Sequence, residues 1–295
     1  MNPPGVYKIN LEGGVGRFDS LERLNPEGYF LMPMINPDAS SVLFWGRQEG
    51  EKGFNIWRND LNGKDPVKLT DHRAVSGHPF WNSDASRVVF FSTLGVSPET
   101  DWNMADQFKL KRSPRNIWIM GRNGENPIRL TEGPYVDERP CISPDGRTVV
   151  FVSDRSGYMN LWSVSTETGE LRQITKHQKR DYRPIFSPKG DCLAFFSTNN
   201  SKGMDDLCLM KWPDGKQEFP LPEGLFKWVH GPFWLHRERT ILFHARSSDG
   251  KDCSLHICRM DDMRTEKIQL PGIPVYTHGS LDAKEKILVF DTQTK

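Results

Sequence analysis

Short apolar runs separated by Pro- and Gly-bearing turns fill the chain, and no long stretch repeats its apolar residues every 3.6 positions. The runs at 149–152 and 193–196 are built from Val, Phe, Leu and Ala and end at turn-forming residues. Such short runs between turns are typical of buried β-strands. The pattern therefore predicts an all-β protein.

Two central segments, 139–153 and 183–197, are copies of one unit. Each begins with Arg-Pro, continues as an apolar strand, and turns at Ser-Pro-x-Gly, where Pro presets φ and Gly supplies a positive φ. A second apolar strand follows, then a third at 160–164 or 207–210, and a fourth such as 171–175. Each unit is thus predicted to be a four-stranded antiparallel sheet.

Looser copies of the unit begin at Met32-Pro33, His78-Pro79, Gly231-Pro232 and His278-Gly279, which gives six starts in all. The spacings between the second residues of these starts are 46, 61, 44, 48 and 47. Periods of this size are typical of propeller blades. The long spacing indicates an insertion at about 95–115.

The last unit has only two predicted strands before the chain stops, whereas the beginning of the chain has a third-strand pattern at 6–9 and a fourth-strand candidate at 15–18. Joining these strands removes the open edges of a linear array. We therefore expect residues 1–295 to form a single six-bladed β-propeller domain. Its last blade would take two strands from each end of the chain.

The units containing Ser143-Pro144-Asp145-Gly146, the segment 151–157 and Asn160-Leu161-Trp162 resemble the PD40 (WD40-like) repeat of the TolB β-propeller family. The resemblance implies a binding scaffold that recognises a protein segment or a glycan at the channel face. A weaker resemblance to oligogalacturonate lyases implies the alternative, a metal-dependent carbohydrate-active enzyme. Those lyases hold a divalent metal with histidines near the channel.

The amino-acid composition limits the classes of partner that we expect. Lys and Arg number 39 against 38 Asp and Glu, so a net charge of +1 argues against nucleic acid. Mean hydropathy is −0.60, and no apolar run is long enough to predict a membrane span. The first five residues lack a signal-peptide pattern, which predicts a cytoplasmic protein, or a periplasmic one if a leader was removed. We expect a monomer.

Ligand-binding candidates lie where each first strand begins, because this end shares a face with the loops between strands two and three. Glu138, Arg139 and Arg183 are candidates here. The two arginines occupy equivalent positions, and bidentate guanidinium groups suit carboxylates or phosphates. An internal salt bridge to an acidic neighbour, such as Glu138, is the other interpretation. Aromatic candidates complete the set: Tyr182, Trp228 and, in the insertion, Trp102.

Three histidines near the beginnings of first strands, His78, His230 and His278, could converge on a divalent metal in the channel. Mn, Zn and Ca are the candidate ions, although the chain has no local metal motif. The alternative is that these side chains only form hydrogen bonds in a watery channel. No catalytic residue is assigned.

Overall fold

A computed structural model describes most of the chain as β-strands and turns. The described residues are 5–12, 15–16, 22–61, 66–96, 113–219, 221–235, 239–249, 253–262, 264–268, 276–281, 284 and 287–292. In these ranges no helix is long and apolar enough to cross a membrane. The all-β prediction is confirmed.

The strands form six sheets in ring order, and five of them are built from consecutive strands. The chain begins with three strands that belong to the last sheet: β1 (Gly5–Glu12), β2 (Val15–Gly16) and β3 (Glu22–Arg23). Blade 1 contains β4 (Gly28–Ile35), β5 (Ser41–Gln48), β6 (Asn55–Asp60) and β7 (Val67–Lys68). Blade 2 contains β8 (Ser76–Trp81), β9 (Arg87–Ser92), β10 (Asn116–Gly121) and β11 (Ile128–Arg129).

The next three blades repeat this order. Blade 3 contains β12 (Asp137–Ile142), β13 (Thr148–Ser153), β14 (Asn160–Ser165) and β15 (Leu171–Gln173). Blade 4 contains β16 (Asp181–Phe186), β17 (Cys192–Ser197), β18 (Asp206–Lys211) and β19 (Gln217–Glu218). Blade 5 contains β20 (Phe226–Leu235), β21 (Thr240–Ser247), β22 (Cys253–Arg259) and β23 (Thr265–Ile268).

The sixth blade joins the two ends of the chain, as the sequence predicts. Strands β24 (Tyr276–Leu281) and β25 (Ile287–Thr292) pair with each other, and β25 pairs antiparallel with β1 from Gly5↔Thr292 to Asn10↔Ile287. Beyond β1 the structure differs in one detail, since β1 pairs with two short strands, β2 and β3. The six-bladed fold is closed by strand pairing between the termini.

The core lies between neighbouring blades, where the apolar middle strands stack. Phe151 and Phe195 are fully buried, and each belongs to a cluster that spans at least two blades. The third-strand indole of Trp57 is buried in one such cluster, whereas Trp118 and Trp162 are partly buried against another. Burial of sheet faces against each other supplies the main apolar stabilisation of the ring.

Tight turns connect the first and second strands of blades 1 to 4, all at one face of the ring. In each turn, the side chain of the first residue accepts a hydrogen bond from the backbone amide of the residue five positions later. In blade 3, for example, the Thr148 amide donates to Ser143 Oγ at 3.0 Å. The fourth turn residue has a left-handed backbone: φ is 59° at Ala39, 55° at Ala85, 73° at Gly146 and 74° at Gly190. The repeat therefore conserves a backbone shape that favours glycine.

Candidate ligand site in the axial channel

The first strand of every blade is interrupted by a β-bulge, which contains the repeated X-Pro pair in blades 1 to 5 and Thr277-His278 in blade 6. In blade 3, Glu138 pairs with Val152 and Cys141 pairs with Val150, so two residues face one across the ladder. Proline has no N–H to donate, and bulges are where an inner strand tolerates it. The same shift occurs in the other five first strands.

The residue before each bulge proline has a left-handed backbone. Its φ is 53° at Met32, 51° at His78, 54° at Arg139, 55° at Arg183 and 58° at Gly231. A non-glycine residue in this region costs about 1–2 kcal/mol, and a bulge redirects its side chain. These five residues line one axial cavity, which we call the bulge mouth, and its cavity volume is about 100 Å³.

Arg139 lines the bulge mouth and also forms a salt bridge with Glu138. Its Nε lies 3.2 Å from Glu138 Oε1, and Arg115 Nη2 approaches Glu138 Oε2 at 3.4 Å. Arg115 is only 3% exposed and Glu138 13%. Burial opposes ionisation of Glu138, yet the charges of Arg115 and Arg139 outweigh it and lower the pKa of the carboxyl.

One donor of Arg139 is not used by this cluster. Its Nη1 atom is buried and has no hydrogen-bond partner among the residues that the structure describes. A buried donor without a partner costs about 1–3 kcal/mol, more when it is charged. A ligand oxygen entering the bulge mouth would satisfy it.

Arg183 occupies the same position one blade further along the ring. Burial, and then the charge of Arg139, lower the pKa of Arg183 well below its ordinary value, whereas the nearby carboxylates of Glu138 and Asp291 oppose this shift. Glu138 is held by two arginines, and Asp291 accepts a hydrogen bond from the Met32 amide at 2.8 Å. The two guanidinium groups therefore lie close enough in the bulge mouth for each to influence the other's charge.

Tyr182 and Trp228 do not line the bulge mouth. Tyr182 is buried against Phe196, with Arg180 over its ring at 4.7 Å and its hydroxyl bonded to Asp205. Trp228 packs edge-on against His244, with ring centroids 5.8 Å apart. Trp102 lies outside the described residues. The roles assigned to these three aromatics, like those of Glu138, Arg139 and Arg183, stay predictions.

Of the three predicted metal-binding histidines, the structure describes the side chain of His78 alone. His78 lines the bulge mouth, and its imidazole packs edge-on against Phe91 at 5.0 Å and Trp45 at 5.8 Å between ring centroids. The backbones of His230 and His278 lie in β20 and β24, but their side chains lie outside the described set. In the part of the chain whose side chains are described, no three His, Cys, Asp or Glu residues converge on a possible metal position.

Sequence reasoning missed Met32 and Arg115 at this site. Met32 is the blade 1 equivalent of Arg139, and the repeated X-Pro pair in an inner strand was the signal for it. Arg115 follows the insertion, and its guanidinium carbon lies 5.2 Å from the centre of the Phe91 ring. Nothing in the local sequence marks Arg115, because its contact with Glu138 joins blades 2 and 3.

Comparison with known proteins agrees with this architecture. Residues 107–271 match the sequence model of the TolB beta propeller domain, PD40. A curated relative, the uncharacterized peptidase YuxL of Bacillus subtilis, is 37% identical over 93 residues, which cover 31% of this chain and 14% of the relative. The chain thus spans less than a third of the length of the curated relatives that it matches first.

Solved structures share the fold over nearly the full chain. A protein from Agrobacterium tumefaciens that is provisionally called TolB superposes with a TM-score of 0.73 at 15% identity, covering 99% of both chains. An oligogalacturonate lyase in complex with manganese superposes with a TM-score of 0.63 at 15% identity, covering 100% of this chain and 79% of the lyase. At these identities the likeness concerns the fold alone.

Proposed function

Since the chain belongs to the TolB β-propeller domain family, we propose that it is a binding module whose bulge mouth takes an acidic group of a protein segment or glycan. One observation carries this proposal. Two neighbouring bulges deliver the guanidinium groups of Arg139 and Arg183 to one cavity, and Arg139 Nη1 is buried there with no partner among the described residues.

The chemistry favours a carboxylate. Arginine binds carboxylates through parallel N–H···O bonds, and these bonds strengthen where water is excluded. The existing carboxylate of Glu138 sits below the mouth as a counter-charge, holding Arg115 and Arg139 together. A ligand carboxylate would join this network at the open end, beside Arg183.

The backbone supports the same proposal. Arg139 and Arg183 keep a strained left-handed conformation although blade 5 has Gly231 at the equivalent place. Strained residues persist where surrounding structure enforces them, and they concentrate at ligand sites. Retaining two arginines here is consistent with a binding role.

A metal-dependent uronide lyase is the second candidate, favoured by the full-length superposition on the manganese-bound lyase. In that case His78, His230 and His278 would hold the ion, and an arginine would orient the uronate carboxylate. The described residues fit an ion poorly, because His78 packs on two aromatic rings and two guanidinium charges face the same cavity. We therefore rank this candidate second.

Calorimetric titration of the full chain with an Asp- and Glu-rich hexapeptide and with trigalacturonate tests the proposal. At least one probe should bind, and Arg139→Gln/Arg183→Gln should weaken it at least tenfold, the loss expected for charged hydrogen bonds. Arg147→Gln, on the opposite face and exposed, is the matched control and should bind normally.

Failure of both probes to bind, or an equal loss in the control, would overturn the binding proposal. Turnover of trigalacturonate with added Mn²⁺, abolished by His78→Ala, would instead promote the lyase.

A further inference from the structure

A second cavity lies directly behind the bulge mouth along the channel axis. We call it the turn-side funnel; it is lined by Trp81, Ile142, Phe186 and Trp234, and its rim includes prolines of the Ser-Pro and Asn-Pro turns. Its cavity volume is about 240 Å³, larger than that of the bulge mouth. A wider, apolar cavity therefore adjoins the bulge mouth.

Four apolar side chains line both cavities and form a common waist: Met34, Phe80, Ile185 and Phe233. The cationic mouth and the apolar funnel therefore adjoin at these side chains along the axis, and we call the two cavities together the axial passage. Because the bulge sets two residues opposite one, the strand from Tyr182 to Phe186 rises only as far as its partner from Phe196 to Leu193, about 10 Å at roughly 3.3 Å per residue. A ligand reaching both ends needs a charged head and an apolar part of about this length.

The polar groups of the funnel are already used within the protein. The indole N–H of Trp81 donates to the Met34 carbonyl at 3.2 Å, and that of Trp234 donates to the Ile185 carbonyl at 3.2 Å. Ser83 donates to the Pro144 carbonyl, and Ser187 donates to Asp191 within its turn. The funnel therefore presents apolar surface to a ligand.

This surface discriminates among carriers of a carboxylate. Sugar hydroxyls and peptide amides lose free energy when they are buried without hydrogen-bond partners, whereas methylene groups gain about 0.8 kcal/mol each. A glycan or a peptide tail would leave its polar groups unpaired at the waist. An unbranched hydrocarbon chain has no such groups.

We infer that the axial passage binds a medium-chain fatty carboxylate, with its head on Arg139 and Arg183 and its chain through the Met34–Phe80–Ile185–Phe233 waist into the turn-side funnel. This inference rests on the carboxylate site of the proposed function, since it uses the same arginines, but it assigns the carboxylate to a fatty acid rather than to a protein segment or a glycan. Arg139 Nη1 provides the buried donor that the head group would satisfy.

Calorimetric titration of the full chain with acetate, hexanoate and decanoate, below the concentration at which decanoate forms micelles, tests the inference. Affinity should rise with chain length, at least tenfold from acetate to decanoate. Decyltrimethylammonium has a similar chain with a cationic head and should not compete. Arg183→Gln should weaken decanoate at least tenfold, and the exposed control Arg147→Gln should not.

A second variant examines the waist without touching the arginines. Met34→Glu places a negative charge in the half-buried waist and should weaken decanoate far more than acetate. The chain-length series on the unaltered protein decides the matter if this variant fails to fold.

Equal affinity for acetate and decanoate, with both dependent on Arg183, would overturn the fatty-carboxylate inference while the binding proposal stands. Tighter binding of the tripeptide Leu-Leu-Leu than of decanoate would assign the passage to a protein tail and overturn it as well. Absence of binding by every anion tested would contradict both.

Discussion

The two ends of the axial channel are made by the same six inner strands, yet they differ in charge and in the use of strained backbone. At the bulge mouth, left-handed residues include Arg139 and Arg183, whose side chains face the cavity. At the turn side, left-handed residues are Gly146, Gly190 and two alanines, which present little or no side chain.

The difference shows that one backbone device serves two purposes. At the turns a left-handed residue only reverses the chain, so the smallest side chains suffice. At the bulges it directs the side chains of Met32, His78, Arg139 and Arg183 to the cavity, at a conformational cost. A strained backbone is therefore a signal for candidate binding residues at the bulge mouth, but it carries no such signal at the turns.

The largest effect is expected from a substitution that breaks the ion network of the bulge mouth. Glu138→Gln leaves the buried charges of Arg115 and Arg139 without their shared carboxylate, and we expect a loss of about 3 kcal/mol in the free energy of unfolding. Urea denaturation measures it. Glu167→Gln, which breaks an exposed pair with Arg147 at 3.6 Å, should cost under about 0.5 kcal/mol. Similar losses in both variants would remove the distinction between the network and an ordinary surface pair.

Exchanges between glycine and alanine at the turns should change the stability of the protein less, and glycine should be the more stable residue at both positions. Gly146→Ala places a Cβ in open space at a φ of 73°, so the backbone alone should cost about 1 kcal/mol. Ala39→Gly, at a φ of 59°, should stabilise by up to about 1 kcal/mol. Thermal unfolding of the two variants measures both shifts, and shifts of the same sign would contradict this account.

Arg183→Gly tests the same device at the bulge mouth. Both Arg183→Gly and Arg183→Gln lose the guanidinium and should abolish anion binding, but only glycine relieves the left-handed strain at a φ of 55°. Arg183→Gly should therefore be about 1 kcal/mol more stable than Arg183→Gln in urea denaturation. Equal stability of the two variants would show that the backbone at this bulge is not strained.

The smallest expected effect is an opposite pH dependence at the two faces. On the mouth side, the hydrogen bond to Asp181 raises the pKa of His177, whose Nε2 lies 3.0 Å from that carboxylate. A raised folded-state pKa stabilises fully below the ordinary value of 6.5, and this stabilisation is lost as pH rises through the folded pKa. His177→Gln should therefore be less stable than the unaltered protein at pH 5.5, with the gap closing in alkaline buffer.

On the turn side the sign reverses. The hydrogen bond from Ser143 lowers the pKa of Asp145, so its stabilisation is present above the ordinary value of 3.8 and is lost as pH falls through the lower folded pKa. The difference in stability between Asp145→Asn and the unaltered protein should therefore shrink only in acidic buffer. Both gaps should stay below about 1 kcal/mol, because these groups are partly or largely exposed. Parallel pH profiles in the two variants would refute the assignment.

Much of the fold was predictable because the repeat is local. Each unit carries its own turn and strand signals within about 45 residues, and the incomplete units at the two ends imply closure. The split pairing of β1 with β2 and β3 was not predictable, since it depends on which short segment reaches a free strand edge.

The candidate site was only half predictable. Arg139 and Arg183 were found because they repeat in register with their prolines. Arg115 and Asp291 were missed because each reaches the site from another blade, and no spacing in the sequence records that approach. The turn-side funnel was missed for a related reason, since only the closed ring brings Trp81 and Trp234 to one cavity.

The sequence by itself determined six repeating units, their strand order and the turns between first and second strands, because these follow from residues within one unit. Only the tertiary structure decided which side chains meet on the axis and which arginine donor lacks an internal partner among the described residues. Closure of the ring brings together residues that are hundreds of positions apart, such as Met32 and Asp291, and local propensity has no influence over that distance.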